Sequence, residues 1–341
     1  MRILITGGAG FIGANAAQFF ASQGKQIRLF DNLSRDGARN NSAWLEKIDN
    51  VDLTVGDLRD VKALRACFEE FKPEVVLHLG AQVAVTTSVM DPMEDFEINA
   101  RGTLNVLECA RYLENQPIVI FSSTNKVYGG LEELTVVEQE DRFAFDHGIE
   151  AVNETMPLDF HSPYGCSKGV ADQYCLDYAR IYGLRTVVFR QSCIFGTHQY
   201  GIEDQGWVAW FLIAAITGKP ITIFGSGKQV RDVLHVNDLA RAFDLAIANI
   251  DNVSGQAFNL GGGPANTLSL LELMDFIHRQ VNQNVTANWS DFRPGDQMIY
   301  VSDISKFSAL TGWTPLVSLE DGLQQLTDWI RSNQTIFSEI N

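Results

Sequence analysis

Short apolar runs recur at 2 to 6, 26 to 31, 51 to 55, 74 to 79, 117 to 122 and 185 to 191. Their length and lack of strict alternation fit strands covered on both faces. Between them, at about 11 to 23, 60 to 71, 93 to 114 and 164 to 182, apolar residues return at three- and four-residue spacing, which predicts helices. Strand and helix in alternation predict an α/β protein with a doubly wound parallel sheet. Beyond residue 191 the pattern loosens into helices at roughly 205 to 217, 268 to 281 and 318 to 331, with short strands between them. These predict a smaller α/β C-terminal lobe on the carboxyl edge of the sheet, where open α/β sheets bind ligands.

Composition narrows the function classes. The chain has 341 residues, 45% apolar and 20% charged, enough for a large core. Met1 to Gly7 holds only three consecutive apolar residues, and the longest apolar run, Trp207 to Ile216, is about half of what spans a bilayer. A cytoplasmic protein with no membrane partner is expected. The five cysteines are scattered and include no Cys-x-x-Cys, so neither disulfides nor a metal site is expected. A formal charge of −16 argues against nucleic acid as a partner.

The first chemical motif is Thr6-Gly7-Gly8-Ala9-Gly10-Phe11-Ile12-Gly13, between the first strand and the first helix. Gly7 permits a tight turn, Gly10 lets backbone approach a pyrophosphate and Gly13 lets helix pack on strand; the helix N-terminus supplies amides and positive dipole. Asp31 follows Gly7 by 24 residues (31 − 7), near the ~20 expected of an acid that takes ribose hydroxyls. Its carboxylate favours NAD over NADP, and Asn32, Ser34 and Arg35 fall in the same cofactor loop, where Arg35 softens that preference. The second constellation is Tyr164-Gly165-Cys166-Ser167-Lys168, which places phenol and ammonium on one helical face. A tyrosine acting as a base at pH 7 needs about 4 kcal/mol of help. One cation at ~4 Å and an effective dielectric near 20 supplies about that.

These motifs, with Gly56-Asp57-Leu58, His78-Leu79-Gly80-Ala81-Gln82, Asn99-x-x-Gly102-Thr103 and Ser122 to Gly129, resemble the extended short-chain dehydrogenase/reductase family that acts on nucleotide sugars, which is built on a Rossmann-type fold. The resemblance implies that residues 1–190, with a returning segment at about 232–260, bind NAD, while 191–231 and 261–341 bind a nucleotide sugar. It places Asp57 and Leu58 at the adenine, Leu79, Ala81 and Gln82 along the cofactor cleft, and Asn99 and Ser122 at its nicotinamide half. It makes Thr124, Tyr164 and Lys168 the catalytic group, with Tyr164 and Lys168 also touching the cofactor.

Dehydratases of this family carry Thr-Asp-Glu where this chain has Thr124-Asn125-Lys126. An amide and an ammonium cannot replace the two carboxyls that expel water, so oxidation followed by hydride return, an epimerisation, is the expected chemistry, with a C4 epimerase or a dehydratase or reductase of the same family as the alternative. Residues 158 to 169, 204 to 208 and 227 to 235 are similar to the branch that inverts C2 of CDP-linked deoxyhexoses. That likeness implies a CDP-sugar substrate held by Ser123, Thr124, Asn125, Gln205, Trp207, Arg231 and Arg293, the two arginines clamping the diphosphate. Many relatives have Asn at the position of Cys193, and their dimer face suggests a homodimer or homotetramer here. Leu131 to Met156 reads as an acidic insertion where the likeness is looser.

Overall fold

The computed structural model describes residues 1–146, 148–281, 285–292 and 296–339. Seven parallel strands form its central sheet: β1 (Arg2–Thr6), β2 (Gln26–Asp31), β3 (Val51–Val55), β4 (Val75–His78), β5 (Ile118–Thr124), β6 (Thr186–Gln191) and β7 (Gln256–Leu260). Their order across the sheet is β7-β6-β5-β4-β1-β2-β3.

Neighbouring residues of one strand explain the unbroken apolar runs. Ile3 and Ile5 of β1 enter a core with Ala14, Ala17 and Phe20 of helix Phe11–Ser22 and with Leu239 and Phe243 of helix Val236–Ala248. Leu4 points the other way, into a core with Leu64, Phe68, Val106 and Ala171 from helices Val61–Phe71, Gly102–Tyr112 and Ser162–Tyr182. Both faces are thus covered, as a parallel sheet requires. The six expected strands all form, and β7 adds a seventh on the far edge.

The segment expected as one helix from 93 to 114 is three elements: Pro92–Phe96, a π-helical turn Glu97–Arg101, and Gly102–Tyr112. The turn carries Asn99 inward to a polar cluster, and π turns of this kind recur at functional sites. Helix Val236–Ala248 and strand β7 bring the chain back to the large sheet.

The smaller lobe packs helices Trp207–Thr217, Leu270–Val281 and Leu319–Ser332 into one apolar cluster. Strand Val230–His235 is the centre of a separate four-stranded sheet, pairing parallel with Cys193–Phe195 and with Ile299–Tyr300 and antiparallel with Thr267–Ser269. The 131–156 insertion forms a hairpin of Val136–Glu138 and Phe143–Phe145, and Arg142 pins it to the lobe through a two-pronged pair with Glu272, 2.6 Å at each prong. Among the described residues no helix is long and apolar enough to cross a membrane, and no cluster of His, Cys, Asp and Glu could hold a metal ion.

Candidate active site

A cleft of about 400 Å³ runs along the carboxyl ends of β1, β4, β5 and β6, with the smaller lobe as its far wall. At its floor Gly7 has φ +66°, and a side chain on Gly13 would meet the Gly7 carbonyl oxygen at 2.3 Å. Helix and strand can approach this closely only through glycine. Gly7, Gly10, Phe11, Ile12 and Gly13 all border the cleft, and helix Phe11–Ser22 begins there with no side-chain cap and no acid in its first turn. Its N-terminal amides are left for an anion, so the floor fits a dinucleotide's pyrophosphate.

Asp31, at the end of β2, is oriented by backbone N–H groups of Leu33 (2.8 Å) and Ala9 (3.0 Å). Burial raises its pKa, and those amide bonds pull it back. Arg35 also borders the cleft and donates across it to the side-chain carbonyl of Gln205. Asn32 and Ser34 lie on the exposed loop outside the cleft wall. Asn32 donates to Asp57 at 2.9 Å, and Asp57 is paired with Arg59 at 2.8 Å, which holds its carboxyl well below the usual range. Leu58 is buried beneath Gly80 and Gly102. Leu79 and Ala81 form the wall after β4.

The sequence-predicted catalytic residues converge at the end of β5. Thr124, Tyr164 and Lys168 share one stretch of the cleft, the latter two from helix Ser162–Tyr182. Burial pushes the Tyr164 phenol up to about 12, while the Thr124 hydroxyl beside it works in the opposite direction. Burial lowers Lys168 to about 8, against the nearby Cys175, Asp172 and Asp95. The Lys168 ammonium donates to the Ser122 carbonyl at 2.5 Å and sits 4.2 Å from the centre of the Phe121 ring. No hydrogen bond joins it to Tyr164; the ammonium is spent on the strand end instead.

Asn99 does not face the cleft. Its amide brackets the loop after β4, accepting from Gln82 N (2.9 Å) and donating to Gln82 O (3.0 Å). It also donates to Asp95 and to Ser167, which gives its hydroxyl proton to Asp95 at 2.5 Å. Gln82 likewise spends its side chain on Asp95 and Ala84. The sequence offered no sign of Asp95 and Ser167 as members of this brace.

At the sugar end, Ser123 and Asn125 border the cleft, although the Ser123 hydroxyl proton is committed to Asp172 at 2.8 Å. Ser122 donates to the Gln191 carbonyl at 2.9 Å, leaving the Gln191 amide nitrogen buried in the cleft wall without a partner. Gln191 escaped sequence reasoning, although a polar residue closing a buried strand on the carboxyl edge is a usable signal. Trp207 covers the opposite wall and donates to the Cys193 sulfur at 3.4 Å. Arg231 is buried behind that wall, donating to Asp296 and to the Gln297 carbonyl, 2.7 Å each. Arg293 lies outside the described residues.

A glycine floor, an acid at the end of β2 and an unpartnered amide in the wall define a dinucleotide-binding enzyme of the doubly wound class. The sequence profile of the NAD dependent epimerase/dehydratase family matches residues 3–261. The CDP-paratose 2-epimerase of Salmonella typhi is 46% identical over 97% of this chain and 100% of its own length. The dTDP-glucose 4,6-dehydratase of Salmonella typhimurium is 28% identical over 98% of this chain and 93% of its own. Among solved structures, the Thermus thermophilus UDP-glucose 4-epimerase in complex with NAD superposes with a TM-score of 0.82 at 30% identity, covering 97% of this chain and 99% of that one. The chain belongs to the NAD dependent epimerase/dehydratase family and uses NAD.

Proposed function

We propose that the protein inverts C2 of a CDP-linked hexose or deoxyhexose through a 2-keto intermediate. The observation that carries this reading is the composition of the β5 end: Thr124 is in place beside Tyr164, but Asn125 and Lys126 stand where a dehydratase needs two carboxyls. The 46% identity to the Salmonella typhi CDP-paratose 2-epimerase supports the choice of carbon and nucleotide.

When bound, NAD supplies a hydride acceptor that can return what it takes. The chain's residues handle the protons and the geometry. Tyr164 takes the C2 hydroxyl proton, with the Thr124 hydroxyl bridging sugar and phenol. Ionising a phenol of pKa about 12 at pH 7 needs roughly 7 kcal/mol. Lys168 contributes through space, as does the positive charge of an oxidised nicotinamide, in a buried site where such fields are strong. The 2-keto sugar then turns its other face, and Tyr164 returns the proton as C2 is reduced. Gly7, Gly10 and Gly13 seat the pyrophosphate, Asp31 takes ribose hydroxyls, and Lys168 orients the nicotinamide ribose. Arg231 and Arg293 clamp the substrate diphosphate, while Gln205 and Trp207 close over the sugar nucleotide. The same reading assigns 1–190 and 232–260 to NAD and the remainder to the substrate, and expects a cytoplasmic homodimer or homotetramer.

The test is proton NMR of CDP-, UDP- and dTDP-hexoses incubated with the purified protein. Inversion at C2 of a CDP sugar, with no build-up of NADH absorbance, is expected. Inversion at C4, or a 4-keto-6-deoxy product, would overturn the reading.

A further inference from the structure

Lys126 is a charged side chain of the cleft wall that the catalytic group and the diphosphate clamp leave without a task. It sits two residues beyond Thr124, and its backbone N–H donates to the Thr124 hydroxyl oxygen at 3.2 Å, so its position is fixed relative to the reacting centre. Its side chain is 22% exposed, and its ammonium lies 3.5 Å from Asp296 Oδ1. That same oxygen accepts from Arg231 at 2.7 Å. Two cations at the sugar end therefore share a single carboxylate. Burial and then the Arg231 charge lower the Lys126 pKa, while Asp296 opposes them, as expected where positive charge is crowded.

The bonding of a nucleotide sugar says what such a pair would meet. The β-phosphorus is three bonds from C2, through C1 and the anomeric oxygen, but five from C4 across the ring. An enzyme that presents C2 to Tyr164 must therefore hold the β-phosphate close to its catalytic hydroxyls, and one that presents C4 must hold it a ring's width away. Arg231 lies behind the wall, whereas Lys126 borders the cleft beside Thr124 and Tyr164. We propose that Lys126 binds the β-phosphate and so selects C2 as the reacting carbon, with Asp296 holding the two cations until the phosphate replaces it. This assignment rests on the C2-epimerase reading above.

Calorimetric titration of the NAD-loaded protein with CDP and CMP tests it, because only CDP carries the β-phosphate. Lys126→Met should weaken CDP binding by about ten- to a hundredfold and change CMP binding less than twofold. Lys126→Arg should recover most of the CDP affinity. Asp296→Asn, which removes the competing anion, should strengthen CDP binding several-fold, whereas a merely structural ion pair predicts that it weakens. Equal losses for CDP and CMP, or unchanged CDP affinity in Lys126→Met, would overturn the proposal. Running UDP against UMP separates the two ideas. If wild type binds the uridine pair and not the cytidine pair, the CDP reading fails, and Lys126 is then judged on the uridine pair by the same criterion.

Discussion

Among single residues, the proposed chemistry turns on Tyr164. It is a buried phenol with the Thr124 hydroxyl alongside, and in the proposed reaction it moves the substrate's proton. Tyr164→Phe should lower kcat by about 10²- to 10⁴-fold while leaving NAD content, read from nucleotide released on denaturation, unchanged. Lys168 makes a subtler claim, because it touches Ser122 rather than the phenol. If its charge lowers the Tyr164 pKa through space, Lys168→Met raises that pKa. Less phenolate is then present at neutral pH, and the acid limb of kcat against pH moves upward by about one unit. A limb that stays put while NAD affinity falls would confine Lys168 to holding the cofactor. Tyr164 and Lys168 stand out by their spacing on one helical face and Thr124 through the family resemblance, and the structure brings all three to one stretch of the cleft. The brace of Asn99, Gln82, Asp95 and Ser167 was not legible in the sequence, since it joins residues up to 72 positions apart and exists only once the π turn forms.

Elements were easier to read than their joints. Six strands follow from apolar runs of the right length, yet β7, whose Asn259 interrupts the run, does not announce itself. That amide is buried and satisfied, accepting from the Tyr128 hydroxyl at 2.7 Å and donating to the Val152 carbonyl at 2.8 Å. His78 is the joint between three elements. Its ring bonds Thr6 of β1 at 2.7 Å and Thr103 of helix Gly102–Tyr112 at 2.9 Å. Burial, and then the Lys168 charge, hold its pKa at about 3, so the folded protein keeps it neutral where the unfolded chain binds a proton. With the folded pKa depressed below 6.5, stability is full above about pH 6.5 and is lost as pH falls towards 3. His78 alone should remove about 2 kcal/mol of unfolding free energy between pH 7 and pH 5. His78→Gln keeps a polar group without titrating, and should shrink the pH 7 to pH 5 difference in urea unfolding by that amount. An unchanged difference would mean that His78 takes up its proton in the fold as readily as in the unfolded chain.

At the scale of the molecule, net charge and site charge oppose each other. The chain carries −16, and its ligand is an anion. The cations proposed to meet that ligand are already engaged in the free protein: Arg231 and Lys126 with Asp296, Arg35 with Gln205, Lys168 with a backbone carbonyl. At long range an approaching nucleotide therefore meets a repulsive field, and attraction acts only over the last few ångströms inside the cleft. Salt screens these two parts unequally. The Debye length falls from about 30 Å at 0.01 M to about 8 Å at 0.15 M, which removes the long-range repulsion and leaves the buried contacts nearly intact. The association rate of CDP, followed by stopped-flow tryptophan fluorescence, should therefore rise several-fold over that range while dissociation changes little. This is the opposite of the slope seen when exposed lysines and arginines recruit a polyanion. An association rate that falls steeply with salt would place the recruiting charge on the surface and remove Lys126 and Arg231 as the groups that capture the diphosphate.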